Sequence, residues 1–238
     1  RTLPYLIGID VGTSGTKTLL ADTDGRVVAT ATVDYPLYAP KPGWAEQNAE
    51  DWWNAAVTGI RRVLADAGAR PEEIVGIGVT GQMHSSVLLD EAGQVIRPPI
   101  LWCDGRTTAE CRQIEADVGG RSRLIELTGN PAMEGFTAPK LVWLRNYEKD
   151  SYDRIKTVLL PKDYIRYRRT GELATDVSDA AGTLLYDVRQ RQWSTTVVES
   201  VGLNPDWLPR VAESAEVVGT VSAVAASETG LKAGTPVV

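Results

Sequence analysis

The sequence has 238 residues, of which 43% are apolar and 24% charged, and its formal net charge at pH 7 is −6. A chain of this length and balance can bury a sizeable core, which excludes the disordered and fibrous classes. No uncharged apolar run approaches the roughly 18 residues of a membrane-spanning helix, and no signal peptide is recognisable. We therefore expect a soluble cytoplasmic protein with neither a membrane nor a nucleic acid as partner.

One basic segment, Arg166-Tyr167-Arg168-Arg169, stands out against the acidic balance. Basic residues interleaved with an aromatic residue are also found in nucleic-acid patches. In this acidic chain we favour the solvated face of a short helix that ends at Gly171. Cys103 and Cys111 have no CxxC partner and no neighbouring histidine, so we expect reduced thiols and neither a disulfide nor a zinc site.

The front of the chain predicts three short strands over Tyr5–Asp10, Thr16–Ala21 and Val27–Tyr35, joined by tight turns. Sequential strands with such short connections form an antiparallel meander. A long helix is then predicted between Asn48, which can cap it, and Gly68, which can end it, because apolar residues recur every three or four positions in between.

The rest of the chain alternates between strand and helix patterns, which predicts an α/β fold with a mixed sheet and flanking helices in one continuous domain. The further predicted strands are Ile74–Thr80, a pair formed by Ser86–Leu89 and Val95–Arg97, and short strands near Val217–Val221 and Thr235–Val238; the further predicted helices are Thr107–Asp117, Pro139–Glu148 and Trp193–Val201.

Two glycine motifs resemble nucleotide sites without meeting their structural requirements. The segment 76–81 matches G-x-G-x-x-G, but that mechanism needs the glycines to open a helix, and here they fall inside a predicted strand. The segment 12–18 resembles a P-loop, but Thr16 separates Gly15 from Lys17 and a strand follows. Neither motif predicts its usual site.

A third interpretation uses the same hairpin differently. The first strand ends at Asp10, and Gly12-Thr13-Ser14-Gly15 turns directly into the second strand. Positive φ angles at the two glycines would let backbone N–H groups approach an anion, with hydroxyl donors and the Lys17 ammonium nearby. A carboxylate beside phosphates needs a cation between them, and Mg²⁺ fits that need. The alternative is an ordinary hairpin turn.

Six segments in order resemble the FGGY family of sugar kinases, whose members share the RNase H-like fold of actin, hexokinase and the Hsp70 ATPase. The segment Gly8–Lys17 resembles the first phosphate hairpin of the family. The other five matching segments are Gly81–His84, Leu101–Thr107, Gly135–Leu144, Leu160–Arg166 and Asp176–Thr183. Together they span nearly the whole chain.

The resemblance implies phosphorylation of a small-molecule sugar by ATP with Mg²⁺, and D-xylulose is the expected acceptor. Ser85 stands where xylulose-phosphorylating members usually have Gly, and gluconate-phosphorylating members carry a similar Met-His-Ser string. Gluconate and ribulose therefore stay as alternative acceptors. The hairpin alone would also permit a different class of protein, a non-enzymatic ATP-dependent switch or filament subunit on the same fold.

Site residues are carried over by position. Asp10 is the expected aspartate associated with phosphate and Mg²⁺. The expected phosphate ligands are Gly12, Thr13, Ser14 and Lys17, and the expected sugar ligands are Gln82, Met83, His84, Trp102 and Asp104. For Trp102, a platform for an apolar sugar face competes with core packing; for Asp104, a hydroxyl acceptor competes with a helix cap.

The resemblance finally implies that residues 1–238 form the N-terminal domain of a two-domain kinase. The strand that starts near Thr235 is expected to lead into a Gly-rich turn bearing the general base, beyond residue 238. A C-terminal kinase domain would then supply the adenosine site, so we expect the 1–238 fragment alone to be inactive. A homodimer is left open.

Overall fold

The computed structural model describes residues 4–238, and its largest element is a mixed sheet of six strands. The six strands are β1 (Tyr5–Val11), β2 (Gly15–Asp22), β3 (Val27–Asp34), β4 (Ile74–Gly81), β11 (Gly219–Thr220) and β12 (Pro236–Val237). Their order across the sheet is β11-β12-β4-β1-β2-β3. Strand β1 pairs antiparallel with β2 and β2 with β3, whereas β4 runs parallel to β1 and β12 parallel to β4. The predicted meander and mixed sheet are confirmed.

Helix α1 (Ala49–Ala67) covers one face of this sheet. Its bounds are as predicted, because the Asn48 side chain accepts from the Glu50 N–H at 3.0 Å and Gly68 closes the helix in the left-handed conformation, at φ 61°. At Gly59 the helix lies so close to β2 that a Cβ would stand 2.4 Å from the Thr18 hydroxyl oxygen. Buried side chains of α1 and of β1, β2 and β4 form one apolar cluster, here called the sheet core.

A second apolar cluster, here called the helical core, lies in the remaining part of the chain. It is built mainly from the helices over 108–117, 137–147 and 195–201 and from the loops between them. The remaining elements are β5 (Val87–Leu89), α2 (Thr108–Asp117), α3 (Arg121–Thr128), α4 (Thr137–Tyr147), α5 (Lys149–Asp153), β6 (Thr157–Leu159), α6 (Pro161–Thr170), β7 (Ala174–Asp176), α7 (Val177–Ala181), β8 (Tyr186–Asp187), β9 (Gln192–Trp193), α8 (Thr195–Val201), β10 (Arg210–Ala212) and α9 (Ala223–Thr229), with 3₁₀ turns at Pro71–Glu73 and Pro205–Trp207.

Two predictions made from local pattern are corrected here. The strand partner of β5 is β6, in an antiparallel pair, and the segment 95–97 keeps only an isolated bridge from Val95 to Leu89. The helix ending at Gly171 exists as α6, but its basic residues are not all solvated, since Arg166 and Arg169 are buried.

None of the helices in residues 4–238 is long and apolar enough to cross a bilayer.

Candidate active site

The hairpin between β1 and β2 has a tip that only glycine fits at two positions. The Gly12 N–H donates to the Gly15 carbonyl at 3.0 Å, and a Cβ on Gly12 would stand 2.9 Å from that oxygen. A Cβ on Gly15 would stand 2.7 Å from the Val33 carbonyl oxygen. Neither glycine has a positive φ, so the prediction that they use that region is wrong. Close backbone approach is the reason for glycine at both positions.

Three polar side chains hold the carbonyl groups of this tip. Tyr35 donates its hydroxyl proton to the Gly12 carbonyl, and Gln47 Nε2 donates to the Thr13 carbonyl at 2.6 Å. Gln82 Nε2 adds a weaker bond to Gly12 at 3.3 Å. Within residues 4–238 the amide N–H groups of Thr13 and Ser14 donate to no protein acceptor. The tip therefore offers oriented N–H donors at its open end, as anion-binding loops do.

Asp10 and Lys17 face each other across the hairpin as cross-strand partners. Both are exposed and border a groove of about 420 Å³ on the sheet face opposite α1, whose floor includes Gly8 and Gly78. The Asp10 carboxylate takes part in no hydrogen bond or ion pair with the residues described. An exposed carboxylate whose oxygens have no protein donor suits a divalent cation that keeps most of its waters, so Asp10 fits Mg²⁺.

The Gln82–His84 turn lies directly beside this hairpin. The Gln82 N–H donates to the Val11 carbonyl at 2.8 Å, and its side chain bonds Gln47 at 3.0 Å as well as Gly12. Gln82 is therefore buried behind the tip, where it positions the hairpin. The Met83 side chain, in contrast, is 52% exposed on the open side.

His84 has an unusual backbone and a half-buried ring. Its φ is 64°, a left-handed conformation rarely adopted by residues other than glycine, and its carbonyl accepts from the Thr137 hydroxyl at 2.9 Å. The ring meets Phe136 edge to face at 4.7 Å. Burial, reinforced by the positive charge of Lys140, lowers the pKa of His84 to about 4. The imidazole is therefore neutral at pH 7, with one nitrogen to donate and one to accept.

Trp102 joins the two parts of the site. Its indole N–H donates to the Thr13 hydroxyl at 2.9 Å, while its own backbone N–H donates to Ser85 Oγ at 3.1 Å. The indole is 42% exposed, which leaves part of the ring open to a ligand. Ser85, the residue that departs from the family pattern, is buried and braces the Trp102 backbone through its hydroxyl.

Asp104 braces the chain in a way that differs from both roles considered from the sequence, the hydroxyl acceptor and the helix cap. The carboxylate is 2% exposed and accepts from the Ala45 N–H at 2.6 Å and from the Arg106 guanidinium at 2.7 Å. Arg106 also pairs with Glu46 and stacks on Trp44 at 3.7 Å. Because both Asp104 oxygens already accept protein donors, the contacts favour a bracing role, and sugar binding by this residue stays a prediction.

Two buried lysines were missed from the sequence. Lys140 donates to the carbonyls of Gly135 and Phe136, at 2.5 and 2.9 Å, and so fixes the loop whose phenyl ring packs on His84. Burial lowers the pKa of Lys140 to about 7. The only sequence signal was the position of each lysine inside a segment that resembles a family motif.

The other missed lysine, Lys162, forms ion pairs with three aspartates. Its ammonium lies 2.8 Å from Asp163, 3.0 Å from Asp176 and 2.8 Å from Asp179. Burial alone would raise the pKa of Asp176, but the Lys162 charge and the hydrogen bonds from Ser214 and the Asp179 N–H together outweigh it and lower that pKa to about 2. The cluster ties the start of α6 to the N-cap and first turn of α7, close to Gly81.

Comparison with known proteins agrees with the fold. The family described as "FGGY family of carbohydrate kinases, N-terminal domain" matches residues 5–238. The xylulose kinase of Klebsiella pneumoniae is 46% identical over 90% of this chain and 43% of its own length. Among solved structures, the xylulose kinase of Rhodospirillum rubrum is 33% identical with a TM-score of 0.93, covering 98% of this chain and 48% of that one. The gluconate kinase of Lactobacillus acidophilus is 27% identical with a TM-score of 0.91, covering 99% and 47%.

The chain belongs to the FGGY family of carbohydrate kinases and is the N-terminal domain of such a two-domain kinase, on the actin- and hexokinase-like fold. It spans about half the length of the relatives it matches.

Proposed function

We propose that the kinase containing this domain transfers the γ-phosphoryl group of ATP to D-xylulose, giving D-xylulose 5-phosphate. One observation carries the proposal: the phosphate hairpin and the turn bearing Met83 and His84 are built side by side. Gln82 bonds the hairpin backbone, and the Trp102 indole donates to Thr13. Phosphoryl transfer needs the phosphate donor and the acceptor hydroxyl held within reach of each other. The adjacent hairpin and turn would bind one each.

On the phosphate side, the free amides of Thr13 and Ser14 would donate to phosphate oxygens, with the Lys17 ammonium nearby. Asp10 would hold Mg²⁺ through bound water, since its carboxylate is exposed and has no protein donor. When bound, the ion neutralises charge on the phosphates. Removal of the Asp10 charge would leave the hairpin geometry intact, because the tip is held by Tyr35 and Gln47.

On the sugar side, Nδ1 of the neutral His84 imidazole is buried, so the ring would bond a sugar hydroxyl through Nε2, and Trp102 offers an apolar ring face. Met83 lies exposed on the same turn as His84. We place the general base and the adenosine site in the remaining part of the polypeptide, in a C-terminal kinase domain. The protein is proposed to act in the cytoplasm.

A panel of acceptors with coupled ADP detection tests the proposal on the complete polypeptide. D-xylulose, L-ribulose, gluconate and glycerol are each added with ATP and Mg²⁺, and we expect the highest kcat/KM with D-xylulose. The Lactobacillus gluconate kinase shares this fold, so preference for gluconate would correct the substrate but keep the sugar kinase. ADP release that does not depend on any added sugar would refute the kinase and favour an ATP-dependent switch.

A further inference from the structure

Gly182 lies against the His84 ring, and its own backbone does not require a glycine. Its φ of −89° and ψ of 3° are angles that any L-residue adopts. Space is what excludes other residues. A Cβ on Gly182 would stand 2.4 Å from His84 Cε1 and 2.6 Å from Nδ1, far inside van der Waals contact.

The backbone around Gly182 cannot move away from the ring. The Gly182 N–H donates to the Asp179 carbonyl at 3.0 Å, and Asn130 binds the Ala181 carbonyl at 3.1 Å. The Thr183 carbonyl accepts from the Ala138 N–H at 3.0 Å. Asp179 is itself held by Lys162. A clash at this position would therefore have to be relieved by the histidine.

The His84 ring has little room on its other side. Phe136 packs against it edge to face, and Lys140 fixes the loop that carries the phenyl ring. Nδ1 is buried and forms no hydrogen bond to the residues described. The ring thus occupies a slot between Phe136 and the backbone of Gly182.

We propose that Gly182 is a positioning residue that sets where the His84 ring stands in the sugar pocket and thereby determines acceptor affinity. The consequence for the sugar rests on the proposed function; the contact itself does not. An alanine at position 182 would drive the ring about 1 Å outward before ordinary van der Waals distance is restored. Displacements of about 1 Å at a reacting site can cost on the order of 10²-fold in rate.

The test is a double-mutant cycle in the complete kinase with Gly182→Ala, His84→Ala and the double variant. We expect Gly182→Ala to raise the KM for D-xylulose about 10-fold or more while the KM for ATP changes less than about 2-fold. In the His84→Ala background the same change should add less than about 2-fold, because no ring remains to be displaced. Gly105→Ala is the matched control, since a Cβ there would meet its nearest atom at 3.6 Å.

Two results would overturn the inference: an unchanged KM in Gly182→Ala, or an effect of equal size with and without the His84 ring. If Gly182→Ala fails to fold, the double variant decides, because removing the ring should restore folding only if the two side chains clash. If the wild-type kinase phosphorylates none of the sugars, the proposed function fails, and the same cycle is read from the thermal midpoint Tm. A Tm loss in Gly182→Ala that His84→Ala reverses would then support the contact.

Discussion

Arg169 is buried without side-chain partners among the described residues, and its replacement by Met should stabilise the protein. The side chain is 0% exposed, and its Nε, Nη1 and Nη2 atoms have no hydrogen-bond partner within the described chain. Burial, together with the like charge of Arg166, lowers the pKa of Arg169 to about 9. A buried charge without partners is held in the structure only by the packing around it.

The expected gain follows from what methionine removes and what it keeps. The thioether fills most of the same volume and adapts to irregular space, so little cavity forms. Replacing even paired buried charges by apolar side chains of similar volume is often neutral or stabilising by about 1–4 kcal/mol, and Arg169 has no pair to lose. For a domain of this size about 1 kcal/mol corresponds to roughly 2–4 °C in Tm. Arg169→Met should therefore raise Tm by at least about 2 °C.

Arg166 on the same helix provides a matched control with the opposite expected sign. It is also buried, but it donates to Asp163 at 3.0 Å and to the Ala174 carbonyl at 2.8 Å. Arg166→Met removes these bonds from a fully buried carboxylate and should lower the stability by about 2 kcal/mol or more. Differential scanning fluorimetry of both variants in the complete chain measures the two shifts. A lower Tm for Arg169→Met would show that the guanidinium has a partner and refute the reasoning.

Three further predictions concern the site and its support. Asp10→Asn should fold with unchanged Tm but lose about 10²-fold or more in kcat with Mg²⁺ and ATP; near-normal turnover would remove Asp10 from the phosphate site. The folded pKa of His84, about 4, lies below its unfolded value. Between about pH 6.5 and 4 the unfolded state therefore binds a proton that the folded state does not, so stability should decrease as the pH is lowered through that window. His84→Gln should flatten the Tm profile there, and identical profiles would contradict the low pKa. Gly59→Ala, a change that usually strengthens a helix by about 1 kcal/mol, should instead destabilise by about 1–2 kcal/mol in urea denaturation, and Thr18→Ala should relieve the loss because the clashing hydroxyl is gone.

The elements with local signals could be predicted from the sequence. Helix α1 begins and ends where Asn48 and Gly68 place it, and the hairpin tip follows from its glycines. Long-range pairing has no such signal: β5 pairs with a strand some 70 residues later, and local pattern favoured the nearer segment instead.

Among the site residues, chemistry alone could not separate ligands from supports. Asp104 has the side chain of a hydroxyl acceptor, yet Arg106 and the Ala45 N–H occupy it. Gln82 is buried behind the hairpin, where its side chain bonds Gly12 and Gln47. Whether a polar side chain is free depends on which distant groups fold against it, and a single sequence does not state that. The contact of Gly182 could not be predicted for the same reason, because its neighbour in space is a histidine 98 residues earlier in the chain.

The two apolar cores meet at the site, and this affects how the domain opens. Thr13 lies at the end of strands packed in the sheet core, while Phe136 packs on the helical core. Cooperative unfolding units tend to follow such clusters, so amide exchange should report two groups of protected N–H groups with different opening free energies. A sugar that contacts both His84 and Trp102 would tie these units together. Its binding should therefore slow exchange in α1 and in α8 alike, although neither helix touches the ligand.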